Sequence, residues 1–322
     1  MIRRFDFAPL DGITKRVFRQ VWHKHFGGAD RYFVPFLSPT DQHVITPRDR
    51  RELENPEGLP QVPQVMAKRA ADFVWAAGAL ADMGYREVNL NLGCPSGTVT
   101  AKGKGAGFLA RPVELGAFFE EVFPAAGLPV SVKTRLGFRD EGEFPVLLEI
   151  FNRYPLKELI VHARVREDFY KKPARLTVFA AALPVICAPV VYNGDLFTAE
   201  DVDAFARRFP QVEAVMLGRG LLMDPALPRK LAGGPAASRE ELQVFTQTLY
   251  RGYQEAYGHA GSAAQRMKEL WFYLIRLFDS GEKYDRRMRR VKSPGEYEAL
   301  EAGIFRDLPL RQRPATPLER GF

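Results

Sequence analysis

The chain has 322 residues, of which 46% are hydrophobic and 26% charged, enough for one large α/β domain and a smaller appendage. Two cysteines exclude a disulfide framework and a paired-cysteine metal site, so we expect a cytoplasmic protein without a metal ion. No signal-peptide pattern and no apolar run approaching the roughly 18 residues of a membrane span are present, so no membrane association is expected. The net charge of +7 makes a polyanion a candidate partner.

Short apolar runs recur along the chain, most of them separated by helical stretches, and this pattern predicts βα units and a parallel sheet. Eight such units within about 230 residues favour a (β/α)8 TIM barrel, an α/β fold, over an open doubly wound sheet, which stays an alternative. The predicted strands are Phe5–Pro9, Tyr32–Phe36, Gln61–Met66, Glu87–Leu90, Val130–Lys133, Leu159–His162, Val190–Tyr192 and Ala214–Leu217.

Helical periodicity marks several segments between these strands. Thr198 precedes three acidic residues and is a predicted helix cap. The predicted helices are Ala70–Met83, Pro112–Phe123, Phe144–Asn152 and Thr198–Phe209.

A stretch of small residues with Pro235 follows the last predicted strand and indicates a domain boundary. We therefore expect the barrel to occupy residues 1–234 and a C-terminal all-α domain to occupy residues 235–322. Apolar residues at three- and four-residue spacing predict helices at Glu240–Tyr257 and Gly261–Phe278.

One thiol lies in a predicted turn just after the fourth strand. Gly93 frees the backbone and Pro95 fixes φ, so the chain is expected to turn at Cys94. A turn cysteine can simply pack as a small hydrophobic residue, or it can be presented for catalysis.

Other polar residues fall at the carboxyl ends of predicted strands, where a barrel carries its active site. Each alone has an ordinary structural explanation, such as a turn or a solvated side chain. Together they predict an active site with a phosphate cradle after strands seven and eight. The residues are Gln64, Asn91, Lys133, His162, Asn193, Gly194, Asp195, Gly218 and Arg219.

With these motifs the chain resembles the tRNA-dihydrouridine synthases, FMN enzymes built on a barrel with a C-terminal helical domain. The resemblance covers most of the chain, and the order and spacing of its motifs are highly specific. The matching segments are 8–14, Asn91–Pro95, Gly105–Leu109, 132–137, 161–164, 193–195, 218–220 and 266–268.

The resemblance implies that Cys94 is the proton donor and that Asn91 helps to hold the target uracil. It gives Arg135 and Arg164 a weaker assignment to RNA phosphate or substrate base. The residues that it assigns to FMN are Pro9, Leu10, Gln64, Lys133, His162, Asn193, Gly194, Asp195, Gly218 and Arg219.

The chemistry of uridine reduction is compatible with these roles. The C5–C6 double bond needs a hydride at C6, which reduced flavin delivers, and a proton at C5. A thiol of reference pKa about 8.5 is mostly protonated at neutral pH and suits a general acid. A cation at Lys133 would stabilise the negative charge of reduced FMN. NADPH, or NADH, is the expected reductant, tRNA the expected partner, and no obligate protein partner is evident.

A basic run in the predicted helical domain, residues 283–292, has six cations against one acid. Such a run is either a solvated face or a phosphate-binding surface. We assign its arginines to RNA: Arg286, Arg287, Arg289 and Arg290.

Two other functions remain open at this point. An FMN barrel reductase acting on a free small molecule would share the barrel residues, but the basic run argues against it. A non-enzymatic RNA-binding protein would keep the barrel as a scaffold, and the presence of both Cys94 and Lys133 argues against that.

Overall fold

The computed structural model describes residues 2–315 and contains a closed barrel of eight parallel strands in sequential order. The barrel prediction is confirmed, and the open doubly wound sheet is excluded. The strands are β1 (Arg4–Phe7), β2 (Arg31–Leu37), β3 (Gln61–Val65), β4 (Val88–Leu92), β5 (Val130–Gly137), β6 (Leu159–Val165), β7 (Val190–Asn193) and β8 (Ala214–Leu217).

Two strands are longer than predicted. β5 continues to Gly137 and β6 to Val165, so Lys133 and His162 lie within strands and not at their ends. Arg135 and Arg164, which lie two residues beyond the predicted strand ends, are buried, and the sequence pattern does not indicate this. Predicting the strand ends at Lys133 and His162 was wrong for this reason.

Helices follow most strands, and the predicted ones are confirmed within a few residues. Thr198 caps its helix as predicted, because its Oγ1 accepts a hydrogen bond from the Asp201 backbone N–H at 3.1 Å. The helices up to β8 are α1 (Arg16–His25), α2 (Pro47–Leu53), α3 (Ala70–Asp82), α4 (Gly97–Thr100), α5 (Pro112–Ala125), α6 (Phe144–Phe151), α7 (Leu176–Ala182) and α8 (Ala199–Arg208).

The chain after β8 is helical, as predicted. Ser238 and Glu241 form a capping box at the start of the longest of these helices, and Gly258 ends it in the left-handed conformation. The helices are α9 (Arg219–Met223), α10 (Leu227–Leu231), α11 (Arg239–Tyr257), α12 (Ala260–Leu274), α13 (Glu282–Met288) and α14 (Pro294–Asp307).

The chain forms two compact units. The first contains the barrel strands and comprises the segments ending at Pro9, Arg31–Gly194 and Ala206–Met216. The second comprises Leu10–Asp30, Asp195–Phe205 and the chain from Leu217, and within it Phe18 of α1 meets Phe245 of α11 edge-on. The domain boundary at residue 234 stays a prediction, and residues 316–322 of the predicted helical domain lie outside the described residues.

The interior of the barrel is apolar in its middle layers. The apolar cluster comprises Ala8, Phe33, Val62, Ile160, Val191, Ala214 and Met216. Side chains two residues apart on a strand share a face, so the residues two positions after Val62, Ile160 and Val191 also face the interior. Those residues are polar, and they lie nearer the carboxyl ends of the strands.

Candidate active site

The barrel register brings the predicted polar residues together. Gln64, His162 and Asn193 each follow an apolar interior residue by two positions. Asn91 of β4 is the register partner of Lys133 of β5. His162 of β6 is likewise paired with Asn193 of β7. These residues therefore line the carboxyl half of the barrel interior, where βα barrels carry their active sites.

A chain of buried amides connects three of the strands. Asn91 Nδ2 donates to Gln64 Oε1 at 2.7 Å, and Gln64 Nε2 donates to Asn89 Oδ1 at 2.8 Å. Asn89 Nδ2 then donates to Ser131 Oγ at 2.8 Å. All four side chains are buried, so each hydrogen bond satisfies groups that would otherwise be costly to desolvate. The chain fixes the orientation of each amide.

Asn91 also builds the turn that carries Cys94. Its Oδ1 accepts hydrogen bonds from the backbone N–H groups of Gly93 and Cys94, both at 3.0 Å. Because the Asn91 amide is itself oriented by Gln64, the position of Cys94 depends on the buried amide chain. The predicted turn at Cys94 is confirmed, and the residue is half-buried.

The segment after α4 closes over the backbone of Cys94. The Ala106 N–H donates to the Cys94 carbonyl at 3.1 Å. Gly105 has φ +57°, and a Cβ there would lie 3.0 Å from the Cys94 carbonyl oxygen and 3.1 Å from its Cβ. Only glycine combines this conformation with such a close approach. The Asn91 side chain and the segment after α4 therefore both hold the Cys94 turn in place.

Lys133 is a cation without an acid partner. In the described part of the chain, no carboxylate oxygen lies within 4.0 Å of its Nζ. Burial, together with the charge of Arg135, lowers the pKa of Lys133 to about 7, although the nearby Cys94 opposes this shift. An anion or an electron-rich ring edge beside Lys133 would restore its charged form.

Arg135 is fully buried and connects two loops at this end of the barrel. Its Nε donates to the Gly93 carbonyl at 2.8 Å, and its Nη1 donates to the carbonyls of Val165 and Phe169 at 3.0 and 3.1 Å. The guanidinium also lies 5.4 Å from the Tyr170 ring centroid. This geometry braces the cysteine turn against the loop after β6, and contact with RNA stays a prediction for Arg135.

Arg164 is buried beside His162. Its Nη1 lies 3.1 Å from His162 Nε2, and its Nε donates to the Lys172 carbonyl at 2.7 Å. The His162 ring lies 5.7 Å from the Tyr170 ring. Arg164 therefore positions both His162 and the following loop, and its assignment to RNA or base likewise stays a prediction.

The sequence analysis missed three residues at this end of the barrel. Arg166 Nε donates to the Pro95 carbonyl at 3.2 Å, and the guanidinium lies 4.8 Å from the Phe169 ring. Phe169 has φ +47°, a strained value for a phenylalanine, and both it and Tyr170 are exposed. The run of two aromatics and two lysines after β6, residues 169–172, is the signal that could have identified Phe169 and Tyr170.

Comparison with known proteins decides the family. The family model described as dihydrouridine synthase matches residues 6–307. The chain belongs to this family.

Individual relatives agree with the family match. A probable tRNA-dihydrouridine synthase of Rhizobium leguminosarum bv. phaseoli is 28% identical over 94% of this chain and 96% of its own length. A tRNA-dihydrouridine(16) synthase of Pseudomonas putida is 30% identical over 70% of this chain and 72% of its own length. A solved histamine dehydrogenase from Rhizobium sp. 4-9 shares the fold, with TM-score 0.55 and 14% identity over 76% of this chain and 49% of that longer protein.

In this member of the dihydrouridine synthase family, the segments predicted to hold phosphate are ordered by internal contacts. Asn193 Nδ2 donates to the Met216 carbonyl at 2.8 Å within the first unit. In the second unit, Arg219 Nη2 pairs with Asp195 at 2.6 Å and its guanidinium lies 5.1 Å from the Phe197 ring. Gly194 and Gly218 adjoin these residues in the chain. The phosphate role of all five stays a prediction.

Pro9 and Leu10, predicted to lie under the flavin ring, follow β1 and are half-buried. The Leu10 N–H donates to Thr14 Oγ1 at 2.8 Å, which fixes the turn after the strand.

The four arginines of the basic run are exposed, on α13 and just beyond it. Arg289 pairs with Asp285 at 2.8 Å and lies 4.8 Å from the Phe272 ring. The other three have no carboxylate within 4.0 Å among residues 2–315.

Residues 2–315 contain neither a candidate metal site nor a candidate membrane span. No group of three or more His, Cys, Asp or Glu side chains there could hold a metal ion. No helix in that range is long and apolar enough to cross a membrane.

Proposed function

We propose that the protein reduces specific uridines of tRNA to 5,6-dihydrouridine, with FMN as its cofactor and NADPH, or NADH, as the reductant. The observation that carries this proposal is the arrangement of Cys94 and Lys133. The thiol is held in a braced turn at the active-site end of the barrel, beside a lysine without an acid partner. The family match supplies the reaction class for that arrangement.

Cys94 is the general acid in this proposal. Uridine reduction adds a hydride to C6 and a proton to C5, and the thiol transfers its proton to C5. The charge of Lys133 favours the thiolate that remains, because a nearby cation stabilises an anion. Solvent then returns a proton to the sulfur. Asn91 has a second hydrogen on Nδ2 beyond the one given to Gln64, and it can donate that hydrogen to a uracil carbonyl.

The barrel interior has the chemistry that FMN needs. When bound in its reduced form, FMN would supply the hydride for C6. Lys133 would face an electron-rich edge of the flavin, which relieves the cost of burying an unpaired cation. Gln64 and His162 would line the ring, and Pro9 and Leu10 would support it.

The phosphate of FMN is assigned to the residues after β7 and β8. Asn193 is the last residue of β7 and Gly194 follows it, and Gly218 and Arg219 follow β8. Arg219 offers a guanidinium, the group best matched to a phosphate. Asp195 holds Arg219 by its ion pair and so orients it.

The substrate RNA must present its uridine outside a duplex, because a paired base cannot reach the barrel interior. Arg286, Arg287 and Arg290 are available for phosphate contacts, whereas Arg289 already has Asp285 and Phe272 as partners. Such contacts give affinity that depends on salt and little base specificity. Arg135 and Arg164 act on the substrate through the loops that they brace. A cytoplasmic location, where tRNA is found, and function without an obligate protein partner belong to the same proposal.

The test is an assay of the purified protein with NADPH and either an unmodified tRNA transcript or free uridine, with nucleosides analysed by mass spectrometry. We expect a flavin absorbance spectrum and dihydrouridine in the transcript, with little reduction of free uridine. Equal reduction of free uridine would indicate a small-molecule reductase. A flavin-free protein that binds the transcript without forming dihydrouridine would contradict the proposal.

A further inference from the structure

Three lysines of the barrel unit lie near enough to one another for Lys68 and Lys102 to act electrostatically on Lys104, and none has an acid partner within residues 2–315. Lys68 follows β3, and Lys102 and Lys104 lie in the segment between α4 and Gly105. Among the described residues, no carboxylate oxygen is within 4.0 Å of any of the three ammonium groups. Lys104 Nζ instead donates to Ser38 Oγ, after β2, at 3.0 Å. We call Lys68, Lys102 and Lys104 the lysine cluster.

Backbone hydrogen bonds fix Lys104 relative to Cys94. The Lys104 N–H donates to the Val99 carbonyl at 3.3 Å, and the next residue but one, Ala106, donates to the Cys94 carbonyl. Gly103, between the two lysines, has φ +67°. This conformation is one that glycine adopts readily. A ligand bound to Lys104 would therefore be held at a defined place beside the cysteine turn.

The neighbouring acid, Asp72, has partners of its own. Asp72 accepts hydrogen bonds from Arg69 at 2.6 and 3.0 Å, and it lies 3.0 Å from His43 Nε2. Its charge is therefore shared with Arg69 and offsets only part of the charge of the lysine cluster.

The pKa of Lys104 reflects the excess of cations around it. Burial lowers its pKa, and the charges of Lys102, Lys68 and Arg69 lower it further, against the opposing charge of Asp72. Repulsion among like charges costs free energy that a bound anion would recover. Lys68 and Lys102 are exposed, so the cluster is open to a large ligand.

We propose that the lysine cluster is a subsite for backbone phosphate of the RNA strand next to the reacting uridine. This inference rests on the proposed function for the nature of the ligand. An exposed group of cations that includes the segment over the cysteine turn suits a phosphodiester strand, whose charges are spaced along its length. The phosphates of NADPH have the same chemistry and are the other possible source.

The test compares two triple variants of the full chain. Lys68→Gln/Lys102→Gln/Lys104→Gln removes the cluster. Arg86→Gln/Arg153→Gln/Arg207→Gln removes the same charge from exposed arginines near the amino ends of the strands, for which the described residues provide no side-chain hydrogen bond or ion pair. Transcript affinity is measured by fluorescence anisotropy at several salt concentrations, alongside the KM values for transcript and NADPH.

The cluster variant should bind the transcript at least about tenfold more weakly, with a salt slope reduced by about 0.7–0.9 per lost phosphate contact. Its KM for NADPH should be unchanged, and the control variant should bind within about twofold of wild type. Lys104→Arg should keep the affinity and reduce its loss at high pH, because arginine stays charged there.

Wild-type affinity and salt slope in the cluster variant would overturn the inference. A raised KM for NADPH with unchanged RNA binding would overturn the assignment to RNA and point to the reductant. If wild type binds the transcript through the cluster but forms no dihydrouridine, the subsite stands and the proposed reaction fails.

Discussion

Single side chains at this site each carry more than one hydrogen bond. Asn91 holds the backbone of Cys94 through Oδ1 and contacts Gln64 through Nδ2. Any change at Gln64 or Asn89 would leave a buried amide with an unsatisfied group, at a cost of about 1–3 kcal/mol. The buried amide chain therefore couples the stability of the barrel interior to the position of the thiol.

Lys133 should lower the stability of the flavin-free protein. Its pKa in the folded state, about 7, is below the ordinary lysine value of 10.5. Between these pH values the unfolded chain binds more protons, so the stability of the wild type rises with pH across this window. Lys133→Met should therefore raise the thermal midpoint of the flavin-free protein at pH 6, by about 2–4 °C per kcal/mol recovered.

The gain from Lys133→Met should shrink as the pH approaches 10, and the variant should retain less flavin. The matched control is Lys283→Met at an exposed lysine, for which we expect no pH-dependent difference. A variant less stable than wild type at pH 6, or a gain that does not change with pH, would show that desolvation of Lys133 does not destabilise the flavin-free protein.

At the scale of elements, a buried ion network ties together the amino ends of the strands. Arg31 of β2 pairs with Asp6 of β1 at 2.6 Å and with Glu87, just before β4, at 3.1 Å, and it also pairs with Glu158, just before β6. Burial raises the pKa of Asp6 even though Arg31 opposes that shift. Arg4 also contacts Asp6 and Glu158, at 3.3 and 2.6 Å, and Lys157 contacts Glu87, but Arg31 contacts all three acids.

Arg31→Gln should destabilise the protein by up to about 3–5 kcal/mol at pH 7, because it removes the one cation that contacts all three buried carboxylates. Those carboxylates would have raised pKa values in the folded variant, so the deficit should narrow as the pH falls toward 5. Chemical denaturation at pH 7 and at pH 5 measures the free energy of unfolding of the variant and of the wild type. Arg3→Gln, which breaks an exposed pair with Glu213, is the control and should change stability by less than about 1 kcal/mol. A loss equal to that of the control would refute the role of the network.

Local sequence patterns located the strands and helices, but they predicted the residues at which β5 and β6 end less well. Apolar runs located all eight strands, and Thr198 with its following acids located a helix start. The ends of β5 and β6 were missed because buried arginines there resemble loop residues in the sequence. Burial of a guanidinium depends on carbonyl acceptors in segments distant in sequence, such as Gly93 for Arg135, and a local stretch of sequence does not contain that information.

At the scale of the whole molecule, local sequence patterns likewise predicted part of the site, and contacts between distant segments determine the rest. Motif spacing predicted the turn at Cys94, while the contact between Asn91 and Gln64 depends on the register between strands. The basic run was visible because its four arginines lie within residues 286–290. Lys102 and Lys104 could be recognised in the same way as cations that flank the active-site loop, whereas Lys68 is distant in sequence and joins them only in the fold.

The proposed chemistry depends on one proton donor, so the decisive measurement is the yield of dihydrouridine in a tRNA transcript treated with Cys94→Ala. A positioned general acid is worth about 10²–10⁴-fold, and we expect a loss of that size with flavin content and NADPH oxidation retained. Cys187→Ala, at the exposed cysteine, should match the wild type. A Cys94→Ala variant that forms dihydrouridine within about threefold of the wild-type rate would contradict the assignment of Cys94 as the acid.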